Sequence, residues 1–191
     1  INPKLPINSI QQLTDYLKAH PNEIYYASNG NGSSAQLAAM MFESMAKVQM
    51  VHVPYKGLSP AMTDLLSGQV QIMFSSLVAI TPMVNSQRLK AIAVTGKKRS
   101  SIYPQLPTLI ESGYPEYATG SWYGLLAPAG TNTEIILKIN QAAEKSLQDP
   151  SVKEQLVKEG AEPIGGSPQD FKKFMQSELE KTSRILNQQK I

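Results

Sequence analysis

Ser28-Asn29-Gly30-Asn31-Gly32-Ser33-Ser34 puts small polar and glycine residues between an apolar run, Glu23 to Ala27, and a helical pattern rich in Ala, Leu, Met and Phe that begins at Ser34. Such a strand, turn and helix start can hold an anion. Gly30 and Gly32 are free to adopt positive φ and let another molecule approach the main chain. The first turn of the following helix has N–H groups without intrahelical acceptors, and the macrodipole adds positive potential there. The same residues also suit a capped helix after an ordinary turn, so the loop by itself leaves both readings open.

Two further stretches have similar chemistry. Pro54-Tyr55-Lys56-Gly57 and Phe74-Ser75-Ser76 each follow a strand pattern. Lys56 is either a source of long-range attraction for an acid or a solvated turn lysine. Other chemistries have weaker support. With two histidines and no cysteine in the chain, His20 and His52 lack a third ligand at metal spacing and are read as structural. The serines at 28, 33 and 34 lie outside a G-x-S-x-G elbow and have no histidine placed as general base, which argues against a hydrolase. A phosphate-binding α/β enzyme using the same loop is the alternative reading. Against it, Asn29-Gly30-Asn31-Gly32-Ser33 lacks the third glycine of G-x-G-x-x-G, and the next strand ends in Pro54-Tyr55 without an acidic ribose ligand. No cofactor is expected.

The surrounding pattern supplies the frame. Ser9 is placed to cap a helix with Ile10, Leu13 and Leu17 on one side, ended by Pro21. Ser34 to Ala46 has Leu37, Ala38, Met41, Phe42 and Met45 at helical spacing, so the methionines 40, 41 and 45 read as a packing face. Val48 to Val53 is a strand, and Ser59-Pro60 opens a helix that reaches Ser67 before Gly68. Val70 to Phe74, a short helix over Thr81 to Ser86, and a strand over Leu89 to Thr95 follow. Four strands separated by helices predict a parallel sheet of βαβ units. In such sheets ligands bind outside the carboxyl ends of the strands, where Ser28-Asn29-Gly30, Tyr55-Lys56-Gly57 and Ser75-Ser76 all fall.

From Ser100 the chain is punctuated by proline, with Tyr103-Pro104-Gln105-Leu106-Pro107-Thr108 and Gly113-Tyr114-Pro115 reading as a hinge. Trp122 to Leu126 predicts a strand, with Trp122 and Tyr123 either core or pocket wall. Thr131 to Leu147 predicts a helix with Ile135, Ile136, Ile139, Ala142 and Ala143 facing inward. Helices over Ser151 to Glu159 and from Pro168 to about Asn187 complete the chain. One strand and three helices do not close an α/β layer, so this half reads as part of a lobe.

Composition sets outer bounds. The 191 residues are 41% hydrophobic and 17% charged, enough for one domain or two small lobes. The formal charge of +3 is spread along the chain, with Lys97-Lys98-Arg99 as the one basic cluster, which argues against a nucleic-acid partner. No window approaches the roughly 20 apolar residues of a membrane helix. Ile1-Asn2-Pro3 lacks the regions of a signal peptide. We expect further residues, and an export signal, upstream of Ile1.

Several separated segments resemble one family. Tyr26 to Leu37, Val51-His52-Val53-Pro54-Tyr55-Lys56-Gly57, Asp64 to Val70, and Trp122 to Thr131 are similar to the periplasmic receptors of tripartite tricarboxylate transporters, the Bug family. Asn2-Pro3-Lys4-Leu5-Pro6 and Gly160-Ala161-Glu162-Pro163 resemble it too. The resemblance implies a non-enzymatic α/β protein of type II periplasmic-binding-protein fold, with one complete parallel-sheet lobe plus the C-terminal part of a second. Residues 1–6 would cross between lobes, 7–115 would form the ligand-binding lobe, and 116–191 would return to the other, whose own ligand loop lies upstream.

By the same resemblance, Ser28, Asn29, Gly30, Asn31, Gly32, Ser33 and Ser34 would clamp a ligand carboxylate, with Tyr55, Lys56 and Gly57 beside them. Many relatives have an Asp at the position of Ser75, suited to a ligand amino group. Ser75 and Ser76 offer neutral hydroxyls, favouring a plain mono- or dicarboxylate over an amino acid. The implied partners are membrane subunits of such a transporter, and the implied place is the periplasm. A separate reading is that the chain binds nothing and self-associates, a second copy completing its strands and apolar faces.

Overall fold

A computed structural model describes residues 1–158 and 161–188. The elements run α1 (Ile10–Ala19), β1 (Tyr25–Ser28), α2 (Ser34–Ala46), β2 (Val51–Pro54), α3 (Leu58–Ser67), β3 (Ile72–Met73), α4 (Leu77–Asn85), α5 (Thr133–Gln148), α6 (Pro150–Lys158) and α7 (Pro168–Gln188). The three strands form a parallel sheet in the order β2-β1-β3, with Tyr26 opposite His52 and Ile72.

Side-chain alternation along β1 divides the core. Tyr26 points to one face, where it packs with Ile10, Leu13 and Leu17 of α1 and with Ala39, Met41 and Phe42 of α2. Ala27 points to the other, against Ala61 and Leu65 of α3, with Val70 and Leu89 beside them. With successive residues in opposite cores, Tyr26 to Ser28 have no solvent face, while Tyr25 at the start of the strand is exposed. Met40 and Met41 are buried and Met45 packs against the same core, matching the expected face of α2. Ser9 caps α1 as expected, its hydroxyl accepting the Gln12 N–H at 3.2 Å.

Three expectations are corrected. Leu89 to Thr95 is not a sheet strand: Val94 makes a single parallel bridge to Thr108, and the sheet has three strands. The reason lies in its neighbours. Val94 N–H donates to the carbonyl of Pro107, which has no N–H to extend a ladder, and Lys90 N–H donates to Ile1. The helix expected over Thr81 to Ser86 begins earlier, at Leu77, and takes Pro82 inside it. In α3, Pro60 is the third residue because the helix opens at Leu58.

The second half departs further. Trp122 to Leu126 forms no strand, and Tyr123 and Leu125 are 87% and 74% exposed. No neighbouring strand is present among the described residues to pair with it, and an isolated strand has no means of satisfying its backbone. Trp122 instead stands edge-on to Phe171 and Phe174 of α7, at ring-centroid distances of 5.7 and 5.4 Å. The face of α5 expected to point inward is open: Ile135 and Ile139 are about half exposed, Ala142 is exposed, and Ile136 and Ala143 are partly covered. α5 packs on α6 and α7, and α7 reaches α2. Glu159 and Gly160, within the sequence reading, lie outside the described residues. No described helix is long and apolar enough to cross a membrane.

Candidate ligand-binding site

Because the three strands are parallel, their carboxyl ends share one edge, and the chain leaves each directly into a helix: β1 into α2, β2 into α3, β3 into α4. Three helix N-termini therefore converge on the edge that also has the three polar strand ends. Unpaired N–H groups and aligned dipoles make such an edge electropositive without requiring a charged side chain.

The 28–34 loop is tightly tied. Gly30 and Gly32 have φ of +125° and +75°, conformations that account for glycine at both places. Ser28 is fully buried, and its Oγ lies 2.6 Å from His52 Nε2, 3.0 Å from the Gly30 carbonyl and 3.2 Å from the Gly30 N–H. Gly32 N–H donates to Gln36 Oε1 at 2.7 Å, and Gln36 Nε2 lies 3.2 Å from His52 Nδ1. Ser33 N–H donates to the Gly30 carbonyl. Ser33 is the N-cap of α2, with its hydroxyl accepting the Gln36 N–H. Replacing Ser33 by alanine should cost about 1 kcal/mol of stability, seen as a lower urea midpoint at unchanged slope.

The expected site residues differ in what they present. Asn29, Asn31, Gly32 and Ser34 face solvent at the edge, while the Ser28 hydroxyl faces inward and orders the turn. Ser34 Oγ lies 3.5 Å from Ser121 Oγ, so the loop meets the chain from the second half. Tyr55 N–H donates to the Ser28 carbonyl at 3.0 Å, joining the first two strand ends, and its hydroxyl donates to Asp64 Oδ2 at 2.7 Å. Burial, then that bond and the Asp64 charge, push the Tyr55 phenol up to about 12, so it remains a neutral donor. Lys56 is exposed. Gly57 caps α3 with φ +109°, and Ser76 caps α4; neither helix receives a side-chain cap bond. Ser75 is half-buried next to it.

Sequence reasoning passed over Gln36 and Ser121 and read His52 as purely structural. Gln36 had a legible signal, since Ser33-x-x-Gln36 has the spacing of a capping box. Its side chain reaches one residue further back than usual, to Gly32. His52 became readable only through register, which sets it opposite Tyr26 with the rings stacked at 4.9 Å. Burial holds its imidazole below the usual pKa. Among the described residues no group of three His, Cys, Asp or Glu side chains could hold a metal ion.

An open parallel sheet with three polar strand ends and three helix N-termini at one edge belongs to the class of α/β folds whose ligands sit outside the carboxyl ends of the strands, and comparison with known proteins narrows the class. Residues 1–191 match the tripartite tricarboxylate transporter family receptor profile. Protein BugT of Bordetella pertussis is 33% identical over 187 residues, covering 98% of this chain and 57% of that protein. Among solved structures, R. palustris Rpa4515 with adipate superposes with a TM-score of 0.91 at 34% identity, over 97% of this chain and 62% of that one. The periplasmic binding protein BugD gives 0.86 at 31% identity, over 98% and 63%. MatC from Rhodopseudomonas palustris with bound malate gives 0.84 at 27% identity, over 95% and 63%.

The chain belongs to the tripartite tricarboxylate transporter receptor family. Among its structural relatives, BugD is a periplasmic binding protein. The chain spans 57% of the length of BugT and 62 to 63% of the chains in these three solved structures.

Proposed function

We propose that this chain forms the gripping lobe, and part of the opposing lobe, of an extracytoplasmic receptor for a small mono- or dicarboxylate. The receptor delivers that ligand to the membrane subunits of a tripartite tricarboxylate transporter. Residues 1–6 cross between the lobes, 7–115 form the ligand-binding lobe and 116–191 return to the other, with the Tyr117 side chain reaching back into the first core to donate to the Ala38 carbonyl at 2.9 Å.

The observation that carries the reading is the convergence of three helix N-termini at the edge formed by Ser28 to Ser34, Tyr55 to Gly57 and Ser75-Ser76. A carboxylate at this edge would accept from the first N–H groups of α2 and from the hydroxyls of Ser33 and Ser34, with Lys56 adding attraction at a distance. Ser75 and Ser76 provide no anionic partner for an ammonium group, so the reading favours acids without one. The adipate and malate held by two structural relatives are acids of this type.

Calorimetric titration of the gene product that carries these 191 residues, against adipate, malate and amino-acid counterparts, tests the reading. Binding of at least one plain dicarboxylate in preference to its amino-acid analogue is expected. Preference for the amino acid, or no heat with any acid in the panel, would overturn it.

A further inference from the structure

The bonds around His52 have one consistent direction, which follows from the side chain with the least freedom. Gln36 accepts the Gly32 N–H with its oxygen at 2.7 Å, so its amide nitrogen faces His52 Nδ1 at 3.2 Å. An amide NH2 only donates, hence Nδ1 must accept, and a neutral imidazole with Nδ1 accepting has its proton on Nε2. That proton points to Ser28 Oγ at 2.6 Å. The Ser28 hydroxyl is then left to donate its own proton to the Gly30 carbonyl at 3.0 Å, while Gly30 N–H donates back to Oγ at 3.2 Å. Both positive-φ glycines of the loop are thereby tied to one ring, Gly32 through Gln36 and Gly30 through Ser28.

We propose that His52 is a positioning residue of the ligand loop: through Gln36 on one side and Ser28 on the other, its neutral ring holds Gly30 and Gly32 in the conformation that presents the loop to ligand. This rests on the reading of the loop as a carboxylate clamp, but adds a residue from the neighbouring strand and a direction to its bonds. Ser28 belongs to the site by shaping the turn from beneath, since its buried hydroxyl is spent on these contacts.

The arrangement makes the loop sensitive to proton uptake. An imidazolium has N–H groups on both nitrogens, so Nδ1–H would oppose the Gln36 NH2. If the amide turns over to accept from Nδ1, it aims its NH2 at the Gly32 N–H and loses that bond instead. Either way the Gly32 tether is broken. What opposes charge on the ring is its burial; packed around it are Tyr26, stacked from β1 as a neutral phenol that burial and Glu43 push up, and Gln36 from α2. Glu43 accepts from Met50 N–H and faces Tyr26.

Heteronuclear NMR of the imidazole nitrogens, combined with amide exchange, tests this on the gene product without ligand. Expected are an Nε2–H tautomer at pH 8 and a roughly tenfold loss of Gly32 protection as pH falls through the His52 titration, the size of one lost hydrogen bond. In Gln36→Glu, the carboxylate accepts from Gly32 N–H and from Nδ1–H together, so the ring stays protonated to higher pH and Gly32 protection is retained at low pH. A proton on Nδ1 in the unsubstituted protein at pH 8, a measurement that needs no variant, would overturn the proposal. So would identical pH profiles in the two proteins. Titration with adipate is a separate arm: a protein with the expected tautomer and profile but no affinity for any acid refutes the clamp and leaves the tethering measured.

Discussion

Replacing Phe42 by alanine should lower the unfolding free energy by about 3–5 kcal/mol, the range for removing a fully buried aromatic ring from a packed core. Phe42 has no exposed surface and sits at the centre of the larger core, its ring 5.5 Å from Tyr114 and 6.2 Å from Phe74 between centroids. These partners come from β3's exit and from the stretch before Tyr117, so the ring joins α2 to segments distant in sequence. Domains of this type are stable by roughly 5–15 kcal/mol, and the loss would be a large fraction of that. Urea unfolding should show a lower midpoint with the slope unchanged. A loss under about 1.5 kcal/mol would mean that the neighbours collapse into the space. Because α2 has the ligand loop at its N-terminus, weaker acid binding should accompany the lost stability.

Gly30→Ala is expected to act on the loop itself. At φ +125° a Cβ is strained by roughly 1–3 kcal/mol whatever space surrounds it. The nearest atom to an ideal Cβ there is the Tyr55 carbonyl oxygen at 3.5 Å, ordinary contact, so the penalty is conformational and the loop can relieve it by shifting. A shift would break the Ser28 and Ser33 bonds to Gly30 and move the N–H groups that face the ligand. We expect dicarboxylate affinity to fall about tenfold, equivalent to 1.4 kcal/mol. Gly32 is the internal control: at φ +75° with open space around its Cβ position, Gly32→Asn should cost clearly less, because asparagine tolerates the left-handed region. Equal losses from the two substitutions would contradict the tether at Gly30.

The pH dependence of stability follows from the depressed pKa of His52. The unfolded chain binds a proton at the ordinary histidine value, about 6.5, whereas the folded chain resists it to lower pH. The contribution of the neutral ring is therefore complete above the unfolded value and is lost as pH falls from there through the folded one.

Much of the parallel-sheet half was legible in the chain because its signals are local. The apolar stripe of α2, the cap at Ser9 and the run before Ser28 each need only a few residues to be read, and a parallel βαβ order places polar strand ends on one edge without further information. The strand expected at Leu89 to Thr95 failed for a non-local reason: Val94 makes a single bridge, to Thr108, and the carbonyl it donates to belongs to Pro107, which has no N–H to extend a ladder.

What the amino-acid order determined by itself was thus the loop, its two glycines and the helix that follows, together with the family to which these motifs belong. Tertiary structure decided which of the loop's groups look outward. Ser28 and Ser34 are both serines in one polar stretch, yet one is sealed against His52 and the other opens toward Ser121. Only the register of β2 on β1 sets the His52 ring within reach of Ser28 and Gln36, 24 and 16 residues away in the chain. Likewise the apolar face of α5 was plain as a pattern, but whether it is covered depends on elements that the pattern does not contain. Periodicity records that a side chain is apolar; burial requires a partner, and partners are chosen in three dimensions.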